Sequence, residues 1–105
     1  MTDKRRAVRV VPRRAITVAI DENGVPRAYG VVANISDGGA CICTDRVFPI
    51  GETLTVQLSF AGQEKLVPLE CYVIWCGSDA ENTYRYGLQW VHPAGSQLRR
   101  LIRDC

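Results

Sequence analysis

Residues 53–60 read Thr-Leu-Thr-Val-Gln-Leu-Ser-Phe. Leu54, Val56, Leu58 and Phe60 alternate with Thr53, Thr55, Gln57 and Ser59, and a period of two fits an extended strand with one dry face and one wet face. Such a strand needs partners at its edges and apolar cover over its dry face, and the rest of the chain offers both. Ala15–Ile20, Tyr29–Ile35, Ala40–Thr44, Leu66–Cys76 and Tyr84–Val91 are further β-rich runs, separated by the polar or turn-forming stretches "DENG", "SDGG", "DRVFPIG", "AGQE" and "GSDAENT". Within Leu66–Cys76 the alternation assigns Val67, Leu69, Cys71, Val73 and Trp75 to the inner face. Pro68 lacks an amide donor, so this strand is expected at an edge or with an irregular start. In Tyr84–Val91 the expected inner residues are Tyr84, Tyr86, Leu88 and Trp90. Six short strands at fairly regular spacing predict a small antiparallel barrel or sandwich, and closing the sheet removes exposed edges. From Ser96 to Arg103 the period changes. Leu98, Leu101 and Ile102 form one helical stripe, with Ser96 as the expected N-cap and Arg99, Arg100 and Arg103 facing outward.

A chain of 105 residues is one domain by size. No apolar run approaches the roughly 20 residues needed to span a bilayer. The N-terminal "MTDKRRAVRVVPRR" lacks the apolar stretch of ~7–15 residues that marks a secretory signal, so the expected location is the cytoplasm. The net charge of +2 is unevenly spread: Lys4, Arg5, Arg6, Arg9, Arg13 and Arg14 against Asp3 give residues 1–14 a balance of +5, and the other 91 residues carry −3. The chain therefore divides into a basic arm, 1–14, and a β-domain, 15–105. Such an arm suits an anion: a phosphate, a nucleic acid, a lipid headgroup or an acidic protein.

The five cysteines, Cys41, Cys43, Cys71, Cys76 and Cys105, form no CxxC pair, and His92 is the one histidine. An odd count without a secretory signal argues against a disulfide framework. Cys41 and Cys43 share a strand face but supply only two of the about four ligands zinc needs. The cysteines are read as small buried hydrophobes, with no metal and no cofactor. His92 stands alone beside Pro93, and no Ser-His-Asp set or paired carboxylates is identifiable, so no enzyme is expected.

Two motifs bear on function. "NISDGG", 34–39, interrupts two apolar runs, and Asp-Gly between strands signals a hairpin whose turn needs positive φ. "RRAVR" places Arg5 and Arg9 four apart, with Arg9 and Arg13 a second match, and five of the arm's six basic residues are Arg. Arginine's planar fork can clamp a phosphate, pair with guanine O6 and N7, and stack on a purine.

Taken together, "RRAVR", "NISDGG", the "CI" that follows and "YGLQW" near the end resemble the PilZ domain, over nearly the whole chain. Each motif alone is weak; their order and spacing make the resemblance fairly specific. Asn34 stands where Asp is commoner, and Trp90 where Phe is more usual. The resemblance implies a six-stranded antiparallel β-barrel with a short C-terminal helix that acts as a receptor for cyclic di-GMP. The nucleotide would be bound by Arg5 and Arg9 on the arm and by Asn34, Ser36 and Gly39 on the barrel. Candidates for additional contacts are Lys4, Arg6, Arg13 and Gly38. The resemblance further implies a downstream protein partner in motility, exopolysaccharide synthesis or virulence. Two other readings are a PilZ-like adaptor that binds protein without nucleotide, and a β-barrel that binds nucleic acid through its basic arm. The second would need exposed aromatics, with Tyr29, Tyr72 and Tyr84 as candidates.

Overall fold

The computed structural model describes residues 11–12, 15–22, 25–60 and 66–103. Six strands, β1 (Ile16–Glu22), β2 (Val25–Ile35), β3 (Gly39–Thr44), β4 (Thr53–Phe60), β5 (Leu66–Ala80) and β6 (Thr83–Trp90), precede one helix, α1 (Ser96–Arg103). All pairings are antiparallel, and the order β1-β2-β3-β6-β5-β4 closes through β4 pairing back onto β1. The expected all-β barrel with a C-terminal helix is what forms. Among the described residues no helix is long and apolar enough to cross a membrane.

The alternating strand is central to closure. Leu54, Val56, Leu58 and Phe60 all point inward, and Leu58 lies between Val18 of β1 and Val67 of β5. Ile16, Val18 and Ile20 repeat the pattern on β1, and α1 adds Leu98 and Ile102 to the same core, with Leu101 packed against it. The loop after β3 contributes Phe48, whose ring meets Tyr86 edge-on at 5.8 Å. Tyr86 is buried, yet its hydroxyl is satisfied. It donates to the Arg46 carbonyl at 2.8 Å and accepts from the Phe48 amide at 2.9 Å, which pins that loop to the barrel.

Several expected boundaries shift, for physical reasons. β1 runs to Glu22 and β2 begins at Val25, because the two strands continue as a paired hairpin beyond the core where nothing requires an apolar pattern. β5 likewise continues to Ala80 through the expected loop "GSDAENT", paired with β6 as far as Thr83. The reversal occurs at Glu81-Asn82, with Asn82 in the left-handed region at φ 60°. Pro68 does mark a local edge: β5 faces β4 from Leu66 onward but meets β6 only from Cys71. At α1 the Arg99 amide donates to the Gly95 carbonyl, so Gly95 rather than Ser96 takes the N-cap position.

The largest correction concerns Trp75. The register between β5 and β6 slips between Val73 and Trp75, so Ile74 is an extra residue in the strand. Beyond that bulge the inside-outside alternation reverses, and Trp75 is 37% exposed instead of core. Cys76 is exposed too, contrary to the reading of the cysteines as buried, which holds for Cys41 and Cys71. Cys43 is half-buried, and Cys105 lies outside the described residues.

Two outcomes follow. Leu58→Ala, at a side chain 0% exposed, should cost about 2–5 kcal/mol of stability in a urea titration. Burial pushes the Cys71 thiol up to about 12. In native protein near neutral pH, iodoacetamide should therefore label Cys76 and reach Cys71 only on unfolding, as read by peptide mass mapping.

Candidate functional site

The stretch "NISDGG" ends β2 and opens β3. Ile35 pairs with Ala40, and the turn is Ser36-Asp37-Gly38-Gly39. Neither Asp37 nor Gly38 has positive φ, so the expected left-handed Asp-Gly geometry is not what makes the turn. Ser36 makes it. Its amide donates to the Gly39 carbonyl at 2.8 Å. Its hydroxyl accepts from the Gly38 amide at 3.2 Å and donates weakly to the Gly39 carbonyl at 3.4 Å. This is the local side-chain to backbone bonding that serine offers in turns. Trp90 holds the turn from β6: its amide donates to the Gly38 carbonyl at 2.9 Å and its indole N–H to the Ser36 carbonyl at 3.2 Å.

Gly39 is buried against β6, where a Cβ would collide with the Leu88 carbonyl. Its missing side chain is needed for strand-to-strand approach, a reason distinct from clearing space for a ligand.

Two bulges shape the surface beside the turn. One leaves Ala33 unpaired in β2, since the register slips between Val32 and Asn34; the other leaves Ile74 unpaired in β5. After both slips, Asn34 pairs with Cys41, Cys41 with Gly87, and Gly87 with Trp75. Four strands thus contribute one transverse row, with a carboxamide at one end and an indole at the other. The indole rests on Gly87, where any Cβ would collide with it. Above this row is a hollow of about 450 Å³. Asn34, Ser36, Gly38 and Gly39 line it on one side, Ile74 and Trp75 on the other, with buried Cys41 between them and Gln89 also in the lining.

The structure therefore brings together all four barrel residues singled out in the sequence. Lys4, Arg5, Arg6, Arg9 and Arg13 lie outside the described residues. Among the described residues no hydrogen bond to the Asn34 amide side chain is made, and no Asp, Glu, Lys or Arg lines the hollow. At the turn beside it, Arg99 of α1 approaches Asp37 at 3.9 Å. No group of three or more potential metal ligands occurs among the described residues. Trp75, Ile74, Cys41 and Gln89 were not expected here. The missed signal is in "YVIWC": Val73, Ile74 and Trp75 are consecutive apolar residues, which a strict period of two cannot place on one face.

The family profile of the PilZ domain matches residues 3–105. The chain belongs to the PilZ domain family. None of the curated proteins matches this PilZ domain in sequence. Among solved structures it resembles the inhibitor of motility MotI/DgrA of Bacillus subtilis, with TM-score 0.76 and 20% identity over 99% of this chain and 50% of that one. It also resembles the PilZ domain of YcgR from Escherichia coli, solved with c-di-GMP, with TM-score 0.71 and 15% identity over 96% and 87% of the two chains. Against a YcgR structure in complex with c-di-GMP the TM-score is 0.73 and the identity 14%, over 96% of this PilZ domain and 43% of that chain. The likenesses establish a shared fold, and the chain spans half the length of the Bacillus protein.

The packing of Trp75 on Gly87 can be checked by fluorescence, since Trp75 and Trp90 are the two tryptophans. Acrylamide should quench Trp75 and spare buried Trp90. Gly87→Ala should lift the indole and raise the quenchable fraction, at a stability cost of about 1–3 kcal/mol from overpacking.

Proposed function

We propose that this PilZ domain is a cyclic di-GMP receptor, binding the nucleotide between its arginine arm and the hollow beside "NISDGG". One observation carries the reading: the register row that sets the Asn34 carboxamide and the Trp75 indole on opposite sides of one hollow, with Ser36 and Gly39 at its edge. Its volume of about 450 Å³ falls within the range typical of small-ligand pockets, about 300–1,000 Å³. YcgR and its isolated PilZ domain, both similar in fold, were solved with this nucleotide, which supports the choice of ligand.

The chemistry divides between the two halves. Cyclic di-GMP carries two phosphates and two guanines. A hollow whose described lining holds no ionised side chain suits a base, whose polar edge needs donors and acceptors and whose faces need flat apolar cover. The Asn34 amide offers both a donor and an acceptor to a guanine edge. The Ser36 hydroxyl, already engaged in the turn, keeps a lone pair to accept from the base. The outer face of the Trp75 indole is a stacking surface. Phosphate charge is left to the arm, where Arg5 and Arg9, or Arg9 and Arg13, provide charge-assisted forks, with Lys4 and Arg6 adjacent. Gly38 adds a backbone surface at the rim. Ordering the arm over the ligand costs about 1–2 kcal/mol per residue, so these contacts must exceed that cost.

The signal then passes to a downstream protein through the repositioned arm, and motility, exopolysaccharide synthesis and virulence machinery are the candidate outputs. The resemblance to an inhibitor of motility supports the first. The nucleic-acid reading fits less well. Tyr29 and Tyr72 are exposed, but they lie on β2 and β5, which do not pair, and Tyr84 packs against the core. They form no continuous stacking track.

Titration calorimetry with cyclic di-GMP, GTP and cyclic di-AMP tests the proposal, and selective binding of the first is expected. Arg9→Ala should abolish binding. Asn34→Ala and Trp75→Ala should each weaken it by about 1–3 kcal/mol, through a lost hydrogen bond and a lost stacking face. Wild-type affinity in the Arg9 variant would overturn the site assignment.

A further inference from the structure

Among the described residues no ionised side chain lines the hollow, yet its proposed ligand carries two negative charges, and the turn beside it adds another. Asp37 sits between Ser36 and Gly38, both of which line the hollow, and its side chain is 52% exposed. Among the described residues the cation that faces it is Arg99, in the first turn of α1, with its Nε 3.9 Å from an Asp37 carboxylate oxygen. That separation is too long for a hydrogen bond, and the Arg99 side chain is 59% exposed. A pair with this geometry and exposure is weak and is screened by salt.

The helix backbone beneath Arg99 is anchored by the bond from its amide to the Gly95 carbonyl. Its guanidinium is therefore fixed at the root and loosely engaged at the tip, beside the turn that borders the hollow. Arg100 and Arg103 share the helix, but among the described residues Arg99 is the arginine joined to the turn.

We propose that Arg99 is a further ligand-contacting arginine, held at the rim by Asp37 until the nucleotide arrives. A phosphate oxygen offers the guanidinium a short, charge-assisted fork in place of a long contact to one carboxylate oxygen. Arg99 then exchanges Asp37 for phosphate, and Asp37 acts as a brake on affinity because it competes for Arg99 and repels the anion. The inference rests on the cyclic di-GMP reading of the site. It adds a cation from the opposite end of the chain to those on the arm.

The test is calorimetric titration of the full chain with cyclic di-GMP at low and high salt, for wild type, Arg99→Gln, Asp37→Asn and the double variant. Arg99→Gln should bind about 5–20-fold more weakly, the order of one partly exposed charge-assisted bond, with a shallower salt dependence. Its thermal midpoint should stay close to wild type, since the pair it removes is weak. Asp37→Asn should bind about 2–5-fold more tightly. That gain should shrink in the Arg99→Gln background, where no arginine is left to release. Wild-type affinity and salt dependence in Arg99→Gln would overturn the inference while leaving the receptor reading intact. Failure of wild type to bind cyclic di-GMP would instead overturn the receptor reading, and the inference with it.

Discussion

A pleated strand gives each residue one side, and closing a sheet into a barrel makes one of those sides permanently dry. In this domain the β1–β4 ladder imposes that condition, and nearly every other feature follows from it. Leu58, Val18 and Val67 meet inside because the register leaves them nowhere else to go. Ordinary alternation leaves Tyr29 and Val31 outside, but putting Trp75 there, two residues after buried Val73, requires breaking the count of two. The chain does so at Ala33 and at Ile74, on two strands that flank β3 and β6. The candidate site is where those two breaks face each other.

That origin explains its electrostatics. A surface made by bulges in core strands inherits core-like residues: an indole, an isoleucine, a thiol and two glycines that permit close approach. Such a surface can cover a flat, neutral group but cannot neutralise an anion. Charge has to come from elements outside the sheet, which are the arm before β1 and the helix after β6. Under the proposed function the barrel supplies shape, and the two segments that flank it in sequence supply cations.

Much of this was readable from residues. The run Thr53–Phe60 matched its strand in both bounds, as did the helix Ser96–Arg103, because each has an uninterrupted period. The hairpin extensions at 25–28 and 77–80 were not legible, since strands held by backbone pairing beyond the core need no apolar pattern. Asn34, Ser36 and Gly39, with Gly38 as an additional candidate, came from the resemblance to the PilZ domain, and they do line one hollow. Trp75 was placed on the wrong face, because alternation was counted through a bulge that only the neighbouring strand reveals. The reason Gly39 must be glycine, the Leu88 carbonyl on β6, is a contact no local motif encodes.

The transverse row has a kinetic meaning as well. Asn34 and Cys41 pair within the β2–β3 hairpin and Trp75 and Gly87 within the β5–β6 hairpin, so the row is complete only when the distant β3–β6 pairing joins the two hairpins in register. No hairpin contains the row, so no early folding fragment can display it. Topologies dominated by such distant pairings fold slowly, in milliseconds to seconds. A ligand that recognises the row binds the finished barrel and not its precursors. Its binding energy therefore adds to the stability of the whole domain by mass action, so under the proposed function the ligand's concentration would set how long the folded domain survives as well as what it signals.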